Sequence, residues 1–112
     1  MANTFNNANV KLTSTSITDL YQAPTTASSV AIVLSILVAN VDGVNSADIT
    51  LTKTDSSNTE QTKIAFTVPV PADSTLEAIP NKLVLKAGEK IRGTASAAND
   101  LDITVSVLEI TP

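Results

Sequence analysis

The side chains that could carry out chemistry in this sequence are few, and the most versatile types are missing. The chain contains neither His nor Cys, so the usual nucleophile–base pairs of hydrolases and thiolate metal sites cannot form. A Ser–Lys dyad is the nucleophilic arrangement that remains, but no motif frames any of the serines. We therefore expect a protein that is not an enzyme and that carries no cofactor.

The eleven acidic residues offer many carboxylate pairs of the kind that hydrolyse glycosides. They are spread over turns and outward strand positions, and only Phe5, Tyr21 and Phe66 are aromatic, which is little for a sugar-binding platform. Residues 40–48 contain several oxygen ligands that Ca²⁺ accepts, but their spacing differs from that of an EF-hand loop. We interpret the acids as solvated carboxylates and residues 40–48 as an inter-strand turn, with no metal site.

Four basic residues lie close together in the sequence: Lys82, Lys86, Lys90 and Arg92. The turn residues 86–88 predict a hairpin, on which these side chains would form one positive patch. Contact with an acidic partner and lysine protection of an edge hairpin are both consistent with the pattern.

The chain as a whole is acidic, with a net charge of −4. Acidic character argues against non-specific binding of nucleic acid and against attraction to anionic membranes. The longest apolar run, residues 30–41, is too short for a membrane helix, and no feature indicates a small-molecule substrate. Proteins are therefore the expected partners.

The elements that would position these side chains are short strands separated by turn residues. The pattern predicts an all-β fold, an antiparallel two-sheet sandwich of about eight strands with a jelly-roll or Ig-like topology. Residues 29–40 show the strongest alternation, with Val30, Ile32, Leu34, Ile36 and Val38 on one face; a helix is the alternative, which the β-branched residues disfavour. The expected strands lie near residues 10–12, 16–22, 29–40, 47–54, 60–70, 76–79, 82–85, 89–94 and 101–110.

Two further features of the strands bear on packing. In residues 60–70 the alternation places Phe66 inward, and Pro69 and Pro71 indicate that this strand lies at an edge. A length of 112 residues favours one domain. We expect a sandwich over residues 10–112, preceded by a polar arm at residues 1–9 that becomes ordered on assembly.

Several apolar side chains fall on strand positions expected to face outward, where they would mediate self-association. Together with an aromatic residue of the arm and the basic cluster, they are the candidate protein contacts: Phe5, Val33, Leu37, Lys86, Lys90, Arg92, Leu108 and Ile110.

Much of the chain resembles a family of small virion proteins of tailed bacteriophages, notably phages of aquatic bacteria and cyanobacteria. The resemblance is carried by VPVPADSTL at residues 68–76, NKLVLKAGEKI at 81–91 and LDITVSVLEI at 101–110. MANTF at residues 1–5 and DLYQAP at 19–24 are similar too. These are β-sandwich segments without catalytic residues, and at Asp73 the family would have a Gly in a tight turn.

The resemblance implies a virion structural protein, assembled in the host cytoplasm. One role is a capsid decoration or cement protein that binds and stabilises the lattice of the major capsid protein. The alternative is a protein associated with the neck, tail or fibres. Either role implies other virion proteins as partners and a homo-oligomer, with trimer and dimer both open, because virion proteins follow the symmetry of their lattice.

Overall fold

The computed structural model describes residues 1–112 and contains nine β-strands and no helix. No helix long and apolar enough to cross a membrane is therefore present. The strands are Ala2–Lys11 (β1), Thr18–Gln22 (β2), Val30–Asn40 (β3), Ala47–Thr54 (β4), Glu60–Val70 (β5), Thr75–Glu77 (β6), Leu83–Lys86 (β7), Lys90–Ala95 (β8) and Leu101–Thr111 (β9).

The strands form two antiparallel sheets that pack face to face. One sheet has the order β1-β9-β3, with β6 and β7 pairing with opposite ends of β3; the other has the order β2-β8-β4-β5. If β6 and β7 are counted as one interrupted strand, the first strand pairs with the last, the second with the next to last, the third with the sixth and the fourth with the fifth. This is a long hairpin rolled into a jelly roll, so the predicted all-β sandwich is confirmed.

The core consists of 20 buried apolar side chains contributed by both sheets. In β9 the side chains of Leu101, Ile103, Val105 and Val107 point inward and are almost completely buried, as the alternation predicts. The residues between them face the other side of the sheet and are partly exposed. Apolar side chains on one face of such strands thus pack in the core, which is the arrangement that stabilises two packed sheets.

The predicted outward position of Val33 is wrong because β3 contains a β-bulge. The pairing of β3 with β9 shifts register between Val33 and Ser35, which leaves Leu34 as an extra residue. Before the bulge Ala31 and Val33 face the core, and after it Ile36 and Val38 do. A bulge moves all following side chains to the opposite face, so one alternating pattern does not describe the whole strand.

A second bulge corrects the predicted inward position of Phe66, which is 67% exposed. Between the pairs Ile49–Val68 and Leu51–Ala65, strand β5 has one residue more than β4. Thr67 within this bulge has a φ of 47°, and its N–H donates to the Thr50 hydroxyl. Strand β5 is the last of its sheet, so the edge position indicated by its prolines is confirmed.

The predicted hairpin around residues 86–88 is also wrong, because β7 and β8 belong to different sheets. The connection turns at Gly88, whose φ of 78° is accessible to glycine without strain. The Gly88 N–H donates to the Pro24 carbonyl, and the Ala23 N–H donates to the Glu89 carbonyl. These bonds hold the connection against the end of β2 and carry the chain from one sheet to the other.

Residues 2–11 form strand β1, which pairs with β9 over ten consecutive residues without a register shift. The predicted strand near residues 10–12 is thus much longer than expected. Residues 2–7 are exposed, because the second sheet does not extend over this part of β1. The ordering of residues 1–9 on assembly stays a prediction.

Candidate protein-interaction surface

The outer face of the five-stranded sheet carries a continuous row of apolar side chains across four strands. Phe5 of β1 lies opposite Leu108 of β9, which lies opposite Ile32 of β3, which in turn lies opposite Val84 of β7. Directly opposed residues of antiparallel strands point to the same face at Cβ separations of about 4.5–5.5 Å. Phe5 and Val84, at the two ends of the row, are 77% and 55% exposed.

Further apolar side chains extend this row along β3 and β9. Ile110 and Val30 form the neighbouring cross-strand pair, while Leu34 in the bulge and Leu37 beyond it are both exposed. We call the whole set the outer patch; it comprises Phe5, Val30, Ile32, Leu34, Leu37, Val84, Leu108 and Ile110.

Four of the nine large apolar side chains that are exposed in the whole chain belong to the outer patch, and the other five are divided among several parts of the chain. Burying these side chains in the chain's own core is impossible, since the opposite face of the same sheet already covers the core. Apolar surface of this kind is found at contacts with proteins, membranes and ligands, which makes the outer patch a candidate interaction surface.

The same face becomes polar toward its other end. Asn7, Ser106 and Ser35 form the next cross-strand row, and Lys11 is paired with Asp102 at 2.8 Å. A concavity of about 360 Å³ lies at this polar end, lined by Asn9, Val10, Lys11, Asp102, Ile103 and Thr104. The face therefore combines an apolar area with a polar margin, the composition of a protein–protein contact with a core and a rim.

The outer face of the four-stranded sheet is different, because it carries charged side chains on β2 and β8, with the exposed Phe66 on its edge strand β5. Asp19 accepts hydrogen bonds from Lys90 at 3.1 Å and from Arg92 at 2.5 Å. Partial burial acts to raise the pKa of Asp19, but the hydrogen bonds and charges of Lys90 and Arg92 outweigh it and lower that pKa. The charges of Lys90 and Arg92 are thus partly neutralised by Asp19. Lys86 lies on the other sheet, opposite Val30.

The predicted positive patch is therefore wrong. Lys86 is an exposed residue of the five-stranded sheet at the margin of the outer patch, whereas Lys90 and Arg92 belong to the opposite sheet. Because β7 and β8 do not form a hairpin, their basic residues do not come together.

Two polar contacts tie the sheets together at the end where β9 finishes. The Tyr21 hydroxyl of β2 donates to the Glu109 carboxylate of β9 at 2.5 Å; burial and the bonded carboxylate both raise the pKa of Tyr21. Lys53 of β4 pairs at 3.2 Å with Glu89, which lies in the connection between β7 and β8 and also accepts the Lys86 N–H of β7. Partial burial opposes ionisation of Glu89, yet its bond from the Lys86 N–H and its contacts with Gln61 and Lys53 lower its pKa. These contacts hold the sandwich together.

Within residues 40–48, residues 41–46 form the connection between β3 and β4, in agreement with the interpretation as an inter-strand turn. The Asp42 carboxylate accepts the N–H groups of Val44 at 2.8 Å and of Asn45 at 3.0 Å, and these bonds lower the pKa of Asp42. The carboxylate thus stabilises the turn itself, as Asp commonly does. Nowhere do three acidic, His or Cys side chains gather in a way that could hold a metal ion.

The structure brings together some of the candidate contact residues and separates others. Phe5, Leu37, Leu108 and Ile110 share the outer face of the five-stranded sheet, while Val33 is buried. The sequence analysis missed Ile32, Leu34 and Val84. The short pattern of β7, with Val84 between the buried or half-buried Leu83 and Leu85, was the signal that could have identified one of them.

No protein-family model and no curated protein matches the chain. Among solved structures, a chain in the acidic stable capsid structure of Helicobacter pylori bacteriophage KHP30 has a TM-score of 0.58 at 13% identity, with 100% of this chain and 90% of that chain covered. A chain in the structure of the infectious bursal disease virus Gx strain has a TM-score of 0.53 at 14% identity, with 95% of this chain and 32% of that chain covered. At these identities the comparisons show a shared fold.

Proposed function

We propose that this chain is a structural protein of a virus particle, and that it decorates the capsid by binding the major capsid protein through the outer patch. The outer patch carries this proposal, because its apolar side chains lie outside the chain's own core and remain exposed or half-buried. The fold shared with chains of two virus particles supports a virion structural role. A binding role without catalysis follows from the same proposal.

The size of the outer face suits such a contact. Three strands of ten or eleven residues lie side by side, and the short strands β6 and β7 together form the fourth position. With a rise of about 3.3 Å per residue and a strand spacing of about 4.8 Å, the whole face, including its polar end, measures roughly 35 by 20 Å, or about 700 Å². One partner of a specific protein–protein interface typically contributes about 800 Å². A protein bound in this way can clamp neighbouring capsid subunits against internal pressure without needing a ligand pocket.

The resemblance to small virion proteins of tailed bacteriophages supports the finer proposal of a decoration or cement protein in such a phage. The similarity to the KHP30 chain supports it too, because 90% of that chain is covered and a domain of this size therefore occurs in a capsid structure nearly on its own. A position at the neck or tail is the competing possibility.

The number of copies per particle tests the proposal. Purified particles should contain the chain at a molar ratio to the major capsid protein that is set by the capsid lattice, measured by quantitative mass spectrometry of isotope-labelled peptides. A small fixed number of copies per particle would contradict the capsid position and favour a position at the neck or tail. Absence of the chain from purified particles would overturn the virion role.

A further inference from the structure

Strand β1 forms an edge of the five-stranded sheet that lacks the protection found at the other edges. Edge strands that stay single carry charges, prolines or bulges, or are short. β5 has Lys63, Pro69 and register shifts, β2 is five residues long and bulged, and β6 and β7 are three and four residues long. β1 has ten residues in unbroken register, and residues 2–10 include neither a charge nor a proline.

The direction of the backbone groups in β1 shows which residues are free to pair. Leu12 follows β1 directly and keeps its register with β9. The Leu12 N–H donates to the carbonyl of Leu101, the first residue of β9. Bonds of an antiparallel ladder involve alternate residues, so the even-numbered residues bond to β9 and the odd-numbered ones point away. In agreement, the Asn7 N–H donates to the Asn6 side chain. Asn3, Phe5 and Asn7 therefore present backbone groups at the open edge.

We propose that β1 pairs antiparallel with β1 of a second copy of this chain, about a two-fold axis at Phe5. In this register Phe5 lies opposite Phe5 of the second copy, and Asn3 lies opposite Asn7, so the outward backbone groups of each strand face those of the other. Local bonding of the Asn7 N–H to Asn6 is then replaced by a bond to the second copy.

Two observations favour a second copy as the occupant. The chain has a net charge of −4, which makes most contacts between copies repulsive, but the paired residues 2–8 are uncharged. The apolar row from Val84 to Phe5 ends at this edge with its most exposed member. Pairing at Phe5 joins the rows of the two copies into one row across eight strands, so the faces match as a two-fold interface requires.

The interface is small, because it consists mainly of one strand from each copy. It falls well below the roughly 800 Å² per partner of a stable dimer, so self-association is weak in solution and depends on concentration. It does not depend on the proposed capsid role, and it is measured on the isolated protein.

A charge-swap experiment tests both the edge and the register. Phe5→Asp and Phe5→Lys each place like charges opposite one another and should weaken self-association at least about tenfold, whereas a mixture of the two variants should restore it. Sedimentation equilibrium up to about 1 mM protein gives the dissociation constants. Phe66→Asp is the matched control, because Phe66 is similarly exposed but lies on β5; it should leave self-association unchanged.

A proline pair provides a second test. Asn7→Pro removes an outward N–H inside the proposed register without removing a bond to β9, and it should abolish self-association. Asn9→Pro makes the same change outside residues 2–8 and should not. A parent protein that stays monomeric up to about 1 mM, a mixture of charge variants no better than either alone, or equal effects of the two prolines would overturn the proposed pairing.

Discussion

Val84 provides a direct test of whether the outer patch binds the capsid. Its side chain is 55% exposed, so just over half of the ~1.5 kcal/mol that full burial of a valine provides remains to be gained on binding. Val84→Ser should therefore cost about 0.8 kcal/mol, which is roughly a fourfold increase in Kd. Val84→Asp also places an unpaired charge in a desolvated contact, and it should raise the Kd at least about thirtyfold.

The binding assay needs particles that lack the chain, to which each purified variant is added before the particles are sedimented and the bound protein is quantified. Val44 supplies the matched control, since it is 85% exposed but lies in the connection between β3 and β4. Both free variants should unfold within about 0.5 kcal/mol of the parent. Equal weakening by Val44→Asp and Val84→Asp, or full binding by Val84→Asp, would refute the assignment of the surface.

Three further predictions concern the stability of the sandwich, each measured by urea denaturation. A Cβ at Gly93 would lie 2.7 Å from Leu20 Cδ1, so Gly93→Ala should cost about 1–3 kcal/mol; undiminished stability would contradict the packing. Tyr21→Phe should lower the free energy of unfolding by about 1–2 kcal/mol, because it removes the hydrogen bond to Glu109. A double-mutant cycle with Glu109→Gln should show that much of this loss is coupling energy between the two side chains. The lowered pKa of Asp19 makes its ion pairs stabilising above about pH 4 and progressively weaker as the pH falls through the folded-state pKa. Because this side chain is half exposed, the effect should stay below about 1 kcal/mol, and Asp19→Asn should flatten that part of the pH profile.

The periodicity of the sequence was sufficient to predict the sandwich. Strands with alternating apolar residues have one apolar face each, and two sheets bury these faces by packing them against each other. The bounds predicted for β4 and β5 agree with the structure, and the inward residues of β9 were predicted correctly. The bulges at Leu34 and near Phe66 were not predictable. They are shifts of register that depend on the partner strand, and the alternation of apolar residues within one strand does not reveal them.

The remaining differences also have physical causes. Strand β1 is polar and Asn-rich, and its pairing with β9 depends on backbone bonds, which no side-chain pattern reveals. Residues 86–89 are typical of a turn, and the same residue types occur in a hairpin and in a connection that crosses between two sheets. Because of that ambiguity, the predicted positive patch was wrong, and Val84 was not recognised as part of the outer face.

A reconstruction of the virus particle by electron cryo-microscopy tests the central claim most directly. We expect density for the jelly roll on the capsid surface, with the outer face of the five-stranded sheet, including Ile32 and Val84, against the major capsid protein. The charged face that carries Asp19 and Arg92 should then point to solvent. A capsid without this density, or one in which the outer patch faces solvent while the charged sheet makes the contact, would contradict the account.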